Sequence, residues 1–87
     1  MRLKYKFHFQ PVGKTYVGVV VGEDARHFNK MIQLNEVGHD IVSMMNEETD
    51  RDSIVEKIQS QYDVDIATVG KYVDEIIDYL TKEGVLV

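Results

Sequence analysis

His27 to Met45, HFNKMIQLNEVGHDIVSMM, contains the point at which this chain changes its hydrophobic period. Phe28, Lys30, Ile32 and Leu34 alternate with Asn29, Met31 and Gln33, the two-residue repeat of a β-strand. After Leu34 the repeat becomes helical, with Val37, Ile41, Met44 and Met45 on one face. Asn35 suits an N-cap, and Glu36 places an acid where the helix dipole favours it. The stretch therefore predicts a strand over 27–33 and a short helix ending near Asn46.

Toward the N-terminus the strand period continues. Leu3, Tyr5, Phe7 and Phe9 alternate with Lys4, Lys6, His8 and Gln10, a half-buried strand over 3–12 that ends at Pro11 and Gly13. Tyr16 to Val21 (YVGVVV) is β-branched and aromatic without alternation, the pattern of a middle strand covered on both faces, over 15–22. Gly22 to Ala25 supplies the turn. Toward the C-terminus the helical period holds. Thr49 and Asp52 resemble a capping box, and Ile54, Val55, Ile58 and Tyr62 form the inner face of a second helix. Asp65 opens a third helix that runs to about Glu83, with Gly84 at its end. The fold expected is α+β: a three-stranded antiparallel β-meander followed by three helices, winged-helix-like. All 87 residues make one domain, with the meander in 1–34 and the three-helix part in 35–87.

Charge divides at the same boundary. Through Leu34, six basic residues face only Glu23 and Asp24, a formal +4; beyond it, four face thirteen acids, a formal −9. Such asymmetry bears on partners rather than on fold. The chain has no cysteine, which excludes disulfides, thiolate metal sites and a cysteine nucleophile. It has no apolar run long enough for a signal peptide or a membrane span, so a cytoplasmic location without membrane contact is expected.

Enzymatic chemistry has no foothold in this text. His8, His27 and His39 lie far apart, without ligand spacing, and read as partly exposed imidazoles. Glu47–Glu48 and Asp74–Glu75 are adjacent, so each pair points in different directions and reads as solvated charge. No phosphate-binding loop or nucleophile elbow occurs. We expect no catalytic residue, no metal and no cofactor. Nucleic acid is a poor partner too, because 66–83 carries Lys71 and Lys82 against four acids, a net −2 on the helix that would approach phosphates.

A peptide remains. The last strand of a meander has an unpaired edge, which is either a template for an added strand or covered by the chain's own helices. The apolar side of the third helix (Val69, Tyr72, Val73, Ile76, Ile77, Tyr79 and Leu80) spans roughly 160°, so it either packs on both other helices and the sheet at once or leaves one edge to line a groove for a partner. Tyr72 and Tyr79 stand seven residues apart on one edge of it, suited to a groove wall because a ring can bury while its hydroxyl stays wet. Lys30 and the basic first third favour a peptide carrying acids.

LNEVGHDIVSMM (Leu34 to Met45), DSIVEKIQSQYDVD (Asp52 to Asp65) and VGKYVDEIIDYLTKEGVLV (Val69 to Val87) together resemble the PqqD-like family, named for PQQ-biosynthesis protein D. Leu34-Asn35 opening the first helix, Tyr62 closing the second, and Leu80 to Gly84 closing the third match its pattern. Val42-Ser43 depart from it, where an aromatic often follows the isoleucine.

The resemblance implies a RiPP recognition element: a non-catalytic domain that binds the leader segment of a ribosomally made precursor peptide by strand addition. It delivers that peptide, as a chaperone, to a modifying enzyme, often a radical-SAM protein. Carried onto this chain, the site residues are Phe28, Asn29, Lys30, Met31, Ile32 and Gln33 of the third strand. From the third helix they are Val69, Tyr72, Val73, Ile76 and Tyr79. The partners expected are the precursor peptide and the modifying enzyme, with the chain a monomer or weak homodimer. A winged-helix nucleic-acid-binding or protein-assembly domain is the alternative.

Overall fold

The computed structural model describes residues 1–87. Strands β1 (Phe7–Val12), β2 (Thr15–Val20) and β3 (Ile32–Leu34) form an antiparallel sheet in the order β1-β2-β3. Helices α1 (Glu36–Ser43), α2 (Arg51–Gln61) and α3 (Ile66–Glu83) follow. This is the α+β meander-then-helices order that the periods predict. No helix is long and apolar enough to cross a membrane.

The β1–β2 hairpin turns on Gly13 and Lys14, with Val12 opposite Thr15 and Gly13 at φ +63°. A positive φ at the first turn residue is the type II′ pattern, whose twist matches the strands and which wants glycine there. Gly18 of β2 has a different role: a Cβ there would lie 2.3 Å from the Phe9 ring, so the ring lies flat across bare backbone. The register puts Phe7 opposite Val20 and Phe9 opposite Gly18, one face of the sheet. That face carries the helices.

Four expectations about the elements are corrected. Residues 3–6 do not continue β1; Leu3 bridges to Leu86, and Lys4 N–H donates to the Val85 carbonyl (2.7 Å), so the two chain ends pair with each other. The middle strand is covered on one face only, since all three helices lie on the other side and Val19 is left exposed. Its β-branched run reflects strand propensity rather than double burial. The third strand is three residues long, not 27–33. Gly22–Arg26 winds into a 3-10 turn capped by His27, and Phe28 N–H still donates to the Asp24 carbonyl (3.3 Å). That turn aims the Phe28 ring inward, where it stacks on Tyr5 (6.2 Å) and meets Phe7 edge-on (5.9 Å), so His27 to Met31 cannot follow β2. Finally, α2 is capped by Asp50, whose Oδ1 accepts from Ser53 N–H (2.8 Å), and not by a Thr49–Asp52 box. Thr49 is committed elsewhere, its backbone holding Met1 through both its N–H and its carbonyl.

The other caps form as read. Asn35 Oδ1 accepts from Gly38 N–H (2.8 Å), Asp65 Oδ1 from Thr68 N–H (2.8 Å), and Gly84 ends α3 at φ +74°. The core crosses the Leu34 boundary: Val20 and Ile32 pack in one cluster with Ile41, Ile54, Val73 and Leu80. The two halves share this one cluster.

Candidate functional site

β3 pairs on one edge with β2, through Tyr16–Leu34, Val17–Gln33 and Gly18–Ile32, and its other edge has no strand beside it. Along that open edge lies α3, running in the opposite direction. Its Tyr72 hydroxyl donates to Asn35 Oδ1 (2.6 Å), just beyond one end of β3, and its Glu83 pairs with Lys30 Nζ (3.3 Å), just before the other. Between these two ties is a groove of about 370 Å³. Gln33, Leu34 and Asn35 form one wall; Tyr72, Glu75, Ile76 and Tyr79 form the other.

The sequence reasons that put these side chains there are local. Tyr72, Glu75, Ile76 and Tyr79 recur at helical spacing on α3, so they share one flank of it. Val69, Val73 and Leu80, one step around, are buried and hold the helix to the core. In β3 the period of two sends Ile32 and Leu34 inward and leaves Gln33 exposed. Tyr79 is 36% exposed, and burial of its ring, with Glu83 beside it, raises its hydroxyl pKa despite an opposing effect from Lys30. It remains a neutral donor and acceptor over the physiological range.

Of the residues expected at this site, Gln33, Tyr72, Ile76 and Tyr79 meet in the groove. Asn29, Lys30 and Met31 lead into it and are exposed, Met31 at 70%. Phe28, Ile32, Val69 and Val73 do not line it; their side chains are buried in the core. Leu34, Asn35 and Glu75 line it without having been expected. Glu75 could have been found, since it falls between Tyr72 and Tyr79 on the same helical flank. Asn35 gave only its capping signal; that it faces α3 depends on a contact 37 residues away in sequence. The charge is also more mixed than the basic N-terminal third suggests, because Glu83 offsets Lys30 and Glu75 adds an acid.

Groups elsewhere are tied to structure. His39 lies flat on Tyr16 (4.0 Å) with Phe9 against its edge (5.3 Å). His27 ends the 3-10 turn instead of sitting in a strand. Asp74, read as solvated, takes two bonds from the Arg51 guanidinium (2.5 and 3.1 Å), which hold its carboxyl below the usual range. Glu48, also read as solvated, binds the N-terminal amine. Gly70 is buried under Arg51, where a Cβ would lie 2.9 Å from its Nη2, so this ion pair fastens α2 to α3.

A small antiparallel sheet with one open edge, backed by three helices of which the last flanks that edge, defines an α+β fold of the winged-helix kind. The chain belongs to the PqqD family, coenzyme PQQ synthesis protein D, which matches residues 17–86. No curated protein sequence matches it significantly. Among solved structures it is similar to TbiB1 in complex with the TbiA(beta) leader peptide. The TM-score is 0.73 at 21% identity, over 99% of this chain and 94% of that one, a shared fold. The family match begins within β2, so β1 lies outside it and is covered by the shared fold alone.

Proposed function

We propose that this chain is a RiPP recognition element: it binds the leader segment of a ribosomally made precursor peptide without acting on it chemically. The observation that carries this reading is the open edge of β3 facing the Tyr72–Tyr79 flank of α3 across one groove. The leader adds as a fourth strand along β3, and its side chains on one face settle against Ile76 and the two tyrosines. Membership of the PqqD family, and a fold shared with a protein solved holding a leader peptide, support the same reading.

Magnitudes say which part of the groove matters. A three-residue edge offers few main-chain hydrogen bonds, each worth a net 0.5–1.5 kcal/mol or so. Micromolar binding needs about 8 kcal/mol. The apolar wall of α3 must therefore supply much of the affinity, at about 25 cal/mol per Å² buried. The bound peptide is then passed, in the same cytoplasm, to a modifying enzyme of the radical-SAM type. This chain has no thiolate with which to hold an iron–sulfur cluster, so that chemistry resides in the partner.

The test is an amide-resonance titration with the N-terminal segments of short peptides encoded in neighbouring reading frames, each synthesised and tried in turn. Shifts confined to 29–35 and the 72–79 flank are expected. Met31→Pro is the companion variant. Met31 is exposed, outside every element, and its N–H makes no internal backbone hydrogen bond, so proline leaves the fold intact while altering the approach to the edge. A folded Met31→Pro chain that binds such a segment as tightly as the parent would exclude pairing at Met31, and amide resonances of 32–34 left unshifted by the segment would rule out pairing along this edge.

A further inference from the structure

The groove does not end at Tyr72. Beyond that ring a second recess of about 170 Å³ opens among three helices. Val37 of α1, Ile58 and Tyr62 near the end of α2, Val64 of the connection and Val69 of α3 wall it, with Tyr72 as the partition between recess and groove. Both tyrosine hydroxyls at its border are already engaged. Tyr62 donates to Asp40 Oδ2 (2.5 Å) and Tyr72 to Asn35 Oδ1 (2.6 Å). The rings thus show the recess their carbon faces, and nothing in it offers a buried polar partner.

Its size and position limit what it can take. Drug-sized ligands need about 300 Å³ or more, whereas an apolar cavity of about 150 Å³ holds a benzene ring. The recess matches one large side chain. A strand lying on β3 and continuing past Leu34 meets Tyr72 next, and the recess directly after it. Resting on the reading given above, we propose that the recess is an anchor subsite for the same peptide. It takes one large aliphatic or aromatic side chain from the residues that leave β3 at its Leu34 end. The peptide is then recognised at two places: main-chain pairing along β3 gives it register, and the anchor beyond Tyr72 selects sequence.

Display selection tests this without a known ligand. Random peptides of about fifteen residues reach some 50 Å when extended, longer than the 39 Å molecule, and are selected on the whole chain. The same selection is run on Val64→Asp, which puts a charge at the mouth, and on Val64→Trp, which fills it. Val64 is 42% exposed in a connection, and the amide spectrum verifies each fold. On the parent chain, the expected consensus is a strand-forming block with one large apolar position on a single side of it. That position disappears on both variants while the block persists, and changing it to alanine weakens parent binding about tenfold or more. A block without such a position, or one kept unchanged on both folded variants, overturns the anchor and leaves the β3 reading intact. Selected peptides that leave the amide resonances of 32–34 unshifted overturn the β3 reading, and the anchor with it.

Discussion

Asn35 Oδ1 receives two hydrogen bonds, one from Gly38 N–H at 2.8 Å and one from the Tyr72 hydroxyl at 2.6 Å. One oxygen therefore caps α1 and holds the ring that divides the groove from the recess behind it. Asn35→Ala removes both bonds and should lower stability by about 1 kcal/mol, the ordinary value of a cap. Asn35→Asp keeps the acceptor and should stay near the parent. Tyr72→Phe separates the roles, losing the ring's tether while the cap persists. Its melting temperature should fall less than that of Asn35→Ala, and peptide affinity should fall more than stability does. Equal stability for Asn35→Ala and the parent would mean that the cap contributes nothing.

Gly18→Ala tests the packing that places the sheet. An added Cβ at 2.3 Å from the Phe9 ring forces the ring off the strand. Overpacking of this kind costs about 1–3 kcal/mol. Trimming the ring by Phe9→Leu in the same chain should recover part of that loss, and a double-mutant cycle in denaturant measures the coupling. Additive effects would show that the contact is relieved without cost.

Glu75→Gln should strengthen capture of peptides that carry acids in the groove, because it removes a like charge from the wall. Exposed pairs are worth about 0.2–1 kcal/mol, so the gain is about 1.4- to fivefold and shrinks at high salt. Isothermal titration at two salt concentrations reads it. An unchanged affinity for acidic peptides would place them away from Glu75.

Tyr62 predicts an alkaline limb. Its bond to Asp40, followed by burial, pushes its pKa up from 10.0 to about 12. A group raised in the folded state contributes stability that is full below pH 10 and lost as the pH climbs toward 12. In an ultraviolet titration Tyr62 should ionise late, and Tyr62→Phe should make stability flatter over this range. A parent chain equally stable at pH 9 and pH 11.5 would contradict the assignment.

The acid limb has the opposite sign. Asp50 and Asp65 cap α2 and α3, and the N–H groups they accept from lower their carboxyl pKa values below the usual 3.8. Their contribution is present above that value and fades as the pH falls through the depressed one. Asp65→Asn keeps a capping acceptor without a titrating charge. It should therefore lose less stability than the parent between pH 4 and pH 2, as followed by circular dichroism melting.

Much of the scaffold was legible in residue order because it depends on neighbours. Alternation at Phe7 to Gln10, the caps at Asn35 and Asp65, the glycine ends at Gly13 and Gly84, and the apolar stripe of α3 are all interactions within a few residues. The late start of β1 and the short β3 were not legible. They follow from Leu3 meeting Leu86 and from Phe28 turning onto Tyr5 and Phe7, contacts between distant segments that outcompete a strand pattern present in the text.

The candidate site divides the same way. That the third helix carries a broad apolar stripe, and that a meander leaves the last strand unpaired on one side, could be read from order alone. Which flank of the helix faces that edge could not. Tyr72, Glu75, Ile76 and Tyr79 face it because Asn35 and Lys30 fasten α3 at its two ends, and because Val69, Val73 and Leu80 must all be buried at once. A helical stripe specifies which residues share a face, but only packing against the other elements fixes the direction in which that face points.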